Sequence, residues 1–404
     1  MLSVEFAPNE GIDDALLSLS LLMQPWRWYK GEEKETLRKK IGLMLQAKKE
    51  DVHFFLSGRA GLFHLLKCLD VPEGSEVIVT GYTCEAVVLP VLALGLIPIY
   101  NDVSFLDCSS NPEKTPSLIS KRTRVLIIQH TYGIPPRRTA LLKIAAEHGL
   151  VVIEDLAHGF EKDVFLKDSV KTYKLLSFGR SKSMSSVFGG AVITHGGPVR
   201  DGMATAERGV KQVAAGELVK LLNYKPFSLL IKYTYSILGT GKLLHKALTT
   251  SGVLVPEISS REKRGEYDPY FDKDYPNALA ILLSHQLEKY ESTRRRRGEV
   301  VREYRKALKG VLTDDFSLAR YPVLVKDREK FLREAKGYGF YPGTWYTQPV
   351  APEGLELGKV GYRKGDCPEA EFISKHIVNL PTNIHLETAR DIVELVKPHL
   401  LIRS

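Results

Sequence analysis

The sequence predicts an α/β protein with a mostly parallel sheet and a smaller α+β domain at its C-terminal end. Apolar runs of strand length alternate with helical stretches between residues 76 and 194. Most of these runs are apolar throughout, as in strands covered on both faces. With 404 residues the chain is long for one small domain, so we expect a large domain over 1–254 and a small one over 255–404.

The strand candidates of the large domain share a short apolar core bounded by polar or turn residues. They are EVIVT (76–80), IPIYNDV (97–103), TRVLIIQH (123–130), GLVVIEDL (149–156), KLLSFG (174–179) and GAVIT (190–194). Helical stretches are predicted over 58–69, 83–94 and 137–149, the last ending at a glycine. This order of elements is typical of crossover connections between parallel strands.

The remaining segments are predicted to be mainly helical until the small domain begins. Residues 200–254 show no strand alternation and predict a helical insertion. Its stretch 225–254 mixes apolar and basic residues, which favours a packing or dimer arm over the alternative of contact with a membrane surface. Residues 277–310 predict one long helix, and the short strands YPVLVK and HIVNLPT precede a final helix, TARDIVELVKPHL.

Composition narrows the classes of partner and compartment. Lys and Arg number 57 and Asp and Glu 48, a net charge of +9, which suits anionic small molecules but also a plain solvated surface. The run Arg294–Arg297 is more consistent with a solvated helix face than with nucleic-acid binding. Four scattered cysteines form no paired motif, so no metal site is predicted and a reduced, cytoplasmic protein is expected.

The residues that follow the predicted strands carry the candidate chemistry. Open parallel sheets bind ligands at the carboxyl ends of their strands, where the polar residues of this chain collect. They are Ser57, Gly58 and Arg59; Tyr82 to Glu85; His130 to Tyr132; Asp155 and His158; and Ser177 and Lys182. The set combines a lysine, a carboxylate, histidines and a hydroxyl-rich turn beside a helix start.

Pyridoxal phosphate is the cofactor that needs this combination. It requires a lysine for its Schiff base, an acid on its pyridine nitrogen and a phosphate cradle, which a helix N-terminus supplies. Taken singly, Asp155, His158, Ser177 and Lys182 each have an ordinary structural explanation. Their joint order at strand ends favours a cofactor site.

Several ordered motifs resemble those of the DegT/DnrJ/StrS sugar aminotransferases. SGRAGL (57–62) is similar to the family's SGTAAL, and VPEGSEVIVTGYTCEAV (71–87) to its PGDEVIxPxxTFxAT. VVIEDLAHGF (151–160) resembles EDxAxA, and LLSFGRSKSMSSVFGG resembles FSFHPTKNLTTGEGG. The stretches 123–136, 285–304 and 365–381 also resemble family segments.

The resemblance implies the three-layer fold of the aspartate-aminotransferase type (fold type I) and a role for each site residue. Lys182 would be the catalytic Schiff-base lysine, Asp155 the partner of the pyridine nitrogen and His158 a neighbour of the 3-oxygen. Ser177, Gly58 and Arg59 would lie at the phosphate, and Cys84 stands where the family has a ring-stacking aromatic, with Tyr82 as a nearby substitute. The implied activity is amino transfer, with glutamate as donor and a nucleotide-linked keto-sugar as acceptor, in polysaccharide or cell-surface glycan synthesis by a homodimer.

Some positions depart from the family pattern and keep two other functions open. Arg59 replaces a threonine, Phe188 replaces an acidic residue, and YFDKDY (270–275) replaces the GxNYRM stretch. One alternative is a non-transaminase related to sugar dehydratases, against which Lys182 argues because that branch has histidine there. The other is a catalytically inactive regulatory protein, which Arg59, Cys84 and the missing stretch favour.

Overall fold

The structure is a computed structural model, and it describes residues 2–160, 170–235, 237, 239–308 and 316–402. The strands are, in chain order, β1 (Leu2–Ser3), β2 (Val52–Phe55), β3 (Glu76–Thr80), β4 (Thr83–Cys84), β5 (Ile97–Asn101), β6 (Thr123–Gln129), β7 (Val151–Asp155), β8 (Tyr173–Ser177), β9 (Gly190–Ile193), β10 (Arg320–Leu324), β11 (Phe340–Tyr341), β12 (Val350–Ala351) and β13 (Ile377–Pro381). All six strands predicted for the large domain are present, within a few residues of their predicted ends.

The α-helices follow the predicted pattern in the large domain and add further elements elsewhere. They are α1 (Ile12–Leu22), α2 (Glu33–Met44), α3 (Gly58–Cys68), α4 (Glu85–Ala93), α5 (Arg138–Glu147), α6 (Gly197–Gly209), α7 (Ala215–Thr234), α8 (Thr240–Thr250), α9 (Asn277–Glu288), α10 (Tyr290–Ala307), α11 (Arg328–Gly337), α12 (Pro368–His376) and α13 (Leu386–Val396). None of the described helices has the length and apolar character that crossing a bilayer requires.

Seven described strands form the main sheet in the order β2-β9-β8-β7-β6-β3-β5. The neighbours β8, β7, β6, β3 and β5 pair in parallel, and β9 runs antiparallel to both β8 and β2. Helical crossovers between the parallel strands place helices on both faces, which explains why these strands are apolar throughout.

Successive side chains of the sheet enter different cores. Val77 and Val79 belong to one apolar cluster, and Ile78 between them belongs to another on the opposite face. Val125 and Leu126 divide in the same way. Helices cover both faces, so the predicted three-layer α/β fold with a mostly parallel sheet is confirmed.

The C-terminal part of the chain contains an antiparallel pair, β10 with β13, flanked by α10 to α13. Two short parallel pairings tie it to earlier segments: β1 with β11, and β4 with β12. The second pairing joins residues that follow β3 directly to the C-terminal part, beside the carboxyl edge of the sheet. The domain division at residues 254 and 255 stays a prediction.

The prediction of one long helix over 277–310 is wrong: the segment forms two helices, α9 and α10, and residues 309 and 310 lie outside the described residues. Lys289 separates them, with φ −88° and ψ −7°. Its ammonium donates to the carboxylates of Asp13 and Asp14 on α1, at 2.7 and 2.8 Å. A tertiary ion pair thus coincides with the break. The helical periodicity of the sequence does not predict this ion pair.

Gly190, the first residue of β9, lets the strand pass the start of α3. A β-carbon at this position would overlap the backbone nitrogen of Gly58 and the carbonyl carbon of Ser57. Glycine is required at position 190 because the backbone of β9 passes close to the backbone at the start of α3. This close approach fixes where the N-terminus of α3 lies relative to the sheet.

We therefore expect Gly190→Ala to lower the free energy of unfolding by about 1–3 kcal/mol, because the strand and the helix start must move apart. Denaturant unfolding of the purified protein measures the change. Gly216→Ala is the control, since a β-carbon at Gly216 meets no atom within 4 Å and should cost no stability. Equal stability of Gly190→Ala and the wild type would contradict the close approach.

Candidate active site

A cavity of about 350 Å³ lies at the carboxyl edge of the main sheet, against residues 344–347 and 351–353 of the C-terminal part. Residues from several strand ends and from the start of α3 line it. Of the eight residues to which the family resemblance assigns a role, seven line this cavity: Gly58, Arg59, Cys84, Asp155, His158, Ser177 and Lys182. The topology therefore brings together residues separated by up to 124 positions in the sequence.

Tyr82 is the exception, and the prediction that it faces the cofactor position does not match its placement. It is fully buried, and it is not among the residues that line the cavity. Its hydroxyl lies 3.0 Å from the Tyr132 hydroxyl and also contacts the backbone of Tyr346. A buried phenol needs such partners, and here they bind Tyr82 to the wall behind the cavity.

Asp155 ends β7, and the alternation of the strand separates it from Glu154. Glu154 accepts hydrogen bonds from Arg138 (2.7 and 2.8 Å) and Thr172 (2.5 Å) outside the cavity lining. Asp155 lines the cavity and accepts one hydrogen bond, from the Ala157 N–H at 2.9 Å. Burial raises the pKa of Asp155 above its usual value, while the Ala157 N–H and Lys182 oppose that rise.

Lys182 lies in the connection between β8 and β9 and lines the same cavity, where it is partly buried. Burial lowers the pKa of its amine, and the nearby cation of Arg320 lowers it further, against the raising effect of Cys84 and Asp155. Its Nζ lies 4.7 Å from the centroid of the Trp345 ring. A lowered pKa increases the fraction of neutral amine, the form that can act as a nucleophile or a base.

His158 is held as a neutral imidazole with a defined tautomer. The Tyr132 N–H donates to its Nδ1 at 3.1 Å, so the proton belongs on Nε2, which lies 2.7 Å from the Tyr346 hydroxyl. Burial lowers its pKa well below 6.5, and the charges of Lys182 and Arg320 act in the same direction. His158 therefore presents an uncharged ring to the cavity.

The N-terminus of α3 opens onto the cavity beside the end of β8. Ser57 caps the helix by accepting a hydrogen bond from the Ala60 N–H at 3.2 Å. A β-carbon built on Gly58 would lie 3.4 Å from the Ser177 β-carbon, so that serine faces the helix start. Free N–H groups and hydroxyls at a helix N-terminus form a suitable anion site.

Arg59 was expected to hold a phosphate, and its guanidinium contacts carboxylates instead. It forms an ion pair with Glu262 and lies 3.9 Å from Glu85. Its Nη2 donates to the Glu257 carbonyl at 2.8 Å. The backbone of Arg59 remains part of the helix start, while its charge is engaged by neighbouring acids.

Glu85 begins α4 and is a buried carboxylate in the cavity wall. Burial raises its pKa to about 7, Glu262 adds to the rise and Arg59 opposes it. Its Oε2 has no hydrogen-bond partner among the described residues. The position was included in the predicted strand-end stretch 82–85, without any expectation of a perturbed acid.

The sequence interpretation missed the aromatic wall contributed by the C-terminal part. Trp345 and Tyr346 stack with ring centroids 5.5 Å apart and line the cavity opposite the sheet. The guanidinium of Arg320 lies over the Trp345 ring at 3.4 Å. Two adjacent aromatic residues in a short loop were the available signal, and only the fold shows where that loop lies.

The donor set of the cavity fits a phosphorylated aromatic aldehyde. It places an amine, a carboxylate, a neutral histidine and an anion-binding helix start around one space of suitable size. Pyridoxal phosphate requires these groups, and all of them already line the cavity.

Residues 15–217 and 274–397 match the sequence profile of the DegT/DnrJ/EryC1/StrS aminotransferase family. The match covers most of the chain and excludes residues 218–273, which include most of α7, all of α8 and the segment that precedes α9. Asp155 and Lys182 both lie inside the matched part.

Three known proteins illustrate the similarity. An uncharacterised protein of Methanocaldococcus jannaschii is 26% identical over 352 residues, which cover 83% of this chain and 82% of that protein. L-Glutamine:2-deoxy-scyllo-inosose aminotransferase of Streptomyces fradiae is 35% identical over 140 residues, 34% of this chain and 33% of that protein. The structure of an aminotransferase of Helicobacter pylori involved in the biosynthesis of pseudoaminic acid aligns with a TM-score of 0.71 at 18% identity, covering 98% of both chains.

Glu85 gives a pH-dependent contribution to stability whose sign follows from its raised pKa. The folded state retains the proton up to about pH 7 and the unfolded state loses it near 4.5, so stability falls as pH rises between these values. We expect Glu85→Gln to remove this fall, a difference of roughly 3 kcal/mol between pH 4.5 and 8. Denaturant unfolding of both proteins across this range measures it.

Glu32→Gln is the control for the titration experiment, because Glu32 is an exposed glutamate outside the cavity. This variant should keep the pH dependence of the wild type. Parallel stability curves for Glu85→Gln and the wild type would show that Glu85 ionises normally.

Proposed function

The chain belongs to the DegT/DnrJ/EryC1/StrS aminotransferase family, and from this premise we propose that it is a pyridoxal-phosphate-dependent enzyme that aminates a keto-sugar. The observation that carries the proposal is the presence of Lys182 and Asp155 in one buried cavity. Two such groups in separate cavities could not serve one cofactor.

Each end of the cavity suits one part of the cofactor. The helix start at Gly58, with the hydroxyls of Ser57 and Ser177, would hold the phosphate. Asp155 would bind the pyridine nitrogen, and a charge-assisted hydrogen bond of this kind contributes roughly 1.5–3 kcal/mol. His158, neutral and held by Tyr346, would lie near the 3-oxygen.

When bound, the cofactor withdraws electrons from the α-carbon of the amine attached to it, which allows a proton to leave that carbon. Lys182 Nζ is the group of this chain placed to bond the cofactor and then to take and return that proton. Its lowered pKa favours the neutral, proton-accepting form. The Trp345 ring lies beside the amine, with its centroid 4.7 Å from Nζ.

The donor and the acceptor are proposed from the relatives. The Streptomyces enzyme is named for L-glutamine and 2-deoxy-scyllo-inosose, and the Helicobacter enzyme for the biosynthesis of pseudoaminic acid. Glutamate, the donor inferred from the family resemblance, and glutamine are both α-amino acids that the same site chemistry accepts. A nucleotide-linked keto-sugar, in polysaccharide or cell-surface glycan synthesis, is the proposed acceptor, since its diphosphate suits the net charge of +9.

A cytoplasmic homodimer remains our proposal for the working form of the protein. The resemblance to the family supports it, because related enzymes of this fold place their sites at a subunit junction. Sedimentation of the purified protein measures the assembly directly.

We expect borohydride reduction of the pyridoxal-phosphate form to leave a stable phosphopyridoxyl group on Lys182, found by mass spectrometry of peptides. Lys182→Ala should carry no such adduct. Lys143→Ala is the matched control, because Lys143 is an exposed lysine on α5, and it should label like the wild type. An adduct on a different lysine of the wild type, or unchanged labelling of the Lys182→Ala protein, would refute the assignment.

Addition of glutamate or glutamine should convert the absorbance of the bound aldehyde form to that of the amine form, a half-reaction that needs no acceptor. Asp155→Asn should slow this conversion roughly 10- to 100-fold, because the loss of the charged hydrogen bond weakens electron withdrawal. A mass-resolved assay with a panel of nucleotide keto-sugars then identifies the acceptor. Absence of conversion with either donor would favour the non-catalytic alternative.

A further inference from the structure

Three polar side chains from distant parts of the sequence bind three consecutive carbonyl oxygens in the turn that carries Lys182, those of residues 181–183. We propose that these side chains are positioning residues that hold the Lys182 turn: Asn9, Arg297 and Arg320. The contacts themselves follow from the geometry alone. Their consequence for the chemistry of Lys182 rests on the proposed function.

Each of the three carbonyls has its own donor. Arg320 Nη2 donates to the Ser181 carbonyl at 2.9 Å, and Arg297 Nη1 donates to the Ser183 carbonyl at 3.3 Å. Asn9 Nδ2 donates to the carbonyl of Lys182 itself. We call these contacts the carbonyl clamp.

The clamp is linked within itself. Asn9 donates with its amide nitrogen and accepts with its amide oxygen, which binds Arg297 Nη2. Arg320 lies over the Trp345 ring, against which the amine of Lys182 also lies. The same guanidinium therefore contacts the backbone before Lys182 and the aromatic surface beside its amine.

The two arginines are buried in a way that a purely structural contact does not explain. They are 2% and 3% exposed, and among the described residues neither forms an ion pair with a carboxylate. A buried charge without a counter-ion is costly, so carbonyl dipoles are a weak reason to place two such charges together. The sequence interpretation had placed Arg297 on a solvated helix face, which is wrong for this residue.

The connection that the clamp holds has backbone hydrogen bonds of its own, from the Lys182 N–H to the Gly179 carbonyl and from the Ser186 N–H to the Phe178 carbonyl. The carbonyls of residues 181–183 bind the clamp instead. The connection runs from Phe178 to Gly189 between β8 and β9, without a helix or strand. Loops of this length are mobile unless side chains anchor them. Fixed carbonyls on both sides of Lys182 restrict the backbone from which its amine reaches the cavity.

The test compares two clamp variants, Asn9→Ala and Arg297→Lys, with Arg296→Ala as matched control. Arg296 is the neighbouring arginine of α10, and its side chain contacts Asn383. Hydrogen exchange of a peptide over 178–184 reports on the turn in the protein without cofactor. The rate of formation of the reducible adduct on Lys182 reports on the position of its amine, and affinity for pyridoxamine phosphate, which cannot bond the lysine, reports on the rest of the site.

We expect both clamp variants to exchange the 178–184 peptide at least about fivefold faster and to form the adduct about five- to twentyfold more slowly. Affinity for pyridoxamine phosphate should stay within about twofold of the wild type. A general structural defect would instead weaken binding of both cofactor forms. Arg296→Ala should match the wild type in all three measurements.

Two results would overturn the clamp: unchanged exchange of the 178–184 peptide in both variants, or faster exchange with an unchanged rate of adduct formation. Should Asn9→Ala fail to fold, Asn9→Asp keeps the acceptor for Arg297 and removes the donor to Lys182. Failure of the proposed function gives a different result, a wild-type protein without any adduct on Lys182, and hydrogen exchange would still decide the clamp.

Discussion

Burial of an amine and a carboxylate in one cavity is the constraint on which the site depends. β7 and β8 are parallel neighbours, so Asp155 at the end of one and Lys182 beyond the end of the other reach the same edge of the sheet. Burial disfavours the charged form of both groups. The opposite charge of each group partly offsets the pKa shift of the other. The order of strands in the sheet thus brings an amine with a lowered pKa close to a carboxylic acid with a raised pKa. Both groups belong to common residue types, a lysine and an aspartate.

The parts of the fold that were predictable from the sequence are those set by local pattern. Continuous apolar runs predict β3, β6 and β7 because both faces of these strands are covered, and a glycine after α5 marks its end. The break at Lys289 was not predictable, because the ion pair that accompanies it is made with carboxylates of α1, far away in the sequence. The short pairing of β4 with β12 depends on tertiary contact in the same way.

In the candidate site, too, some residues were predictable from local sequence pattern and others depend on tertiary contacts. Residues that follow strands on the sheet edge could be found from the order of elements, and Asp155, Ser177 and Lys182 are of this kind. Trp345 and Asn9 reach the cavity or its turn from the two ends of the chain, and no local pattern distinguishes them from surface residues. Tyr82 follows a strand as well, yet its buried hydroxyl contacts the Tyr132 hydroxyl and does not face the cavity. The order of residues in the sequence does not predict that contact.

Arg59 and the segment that the family profile does not match are best understood together. Glu257 and Glu262 contact the guanidinium with a carbonyl and a carboxylate, and Phe271 stacks on it at 4.5 Å; all three lie within 218–273. A threonine at position 59 could not neutralise Glu262, and a buried glutamate without its arginine would be strongly disfavoured. The Arg59 guanidinium is therefore paired with the unmatched segment, and the charge that the resemblance assigned to a phosphate is already neutralised by Glu262. On the proposed function, the phosphate would then be held by the helix start and by Ser177, and Gly190 contacts both features, through its close approach to Gly58 and its pairing with Ser177.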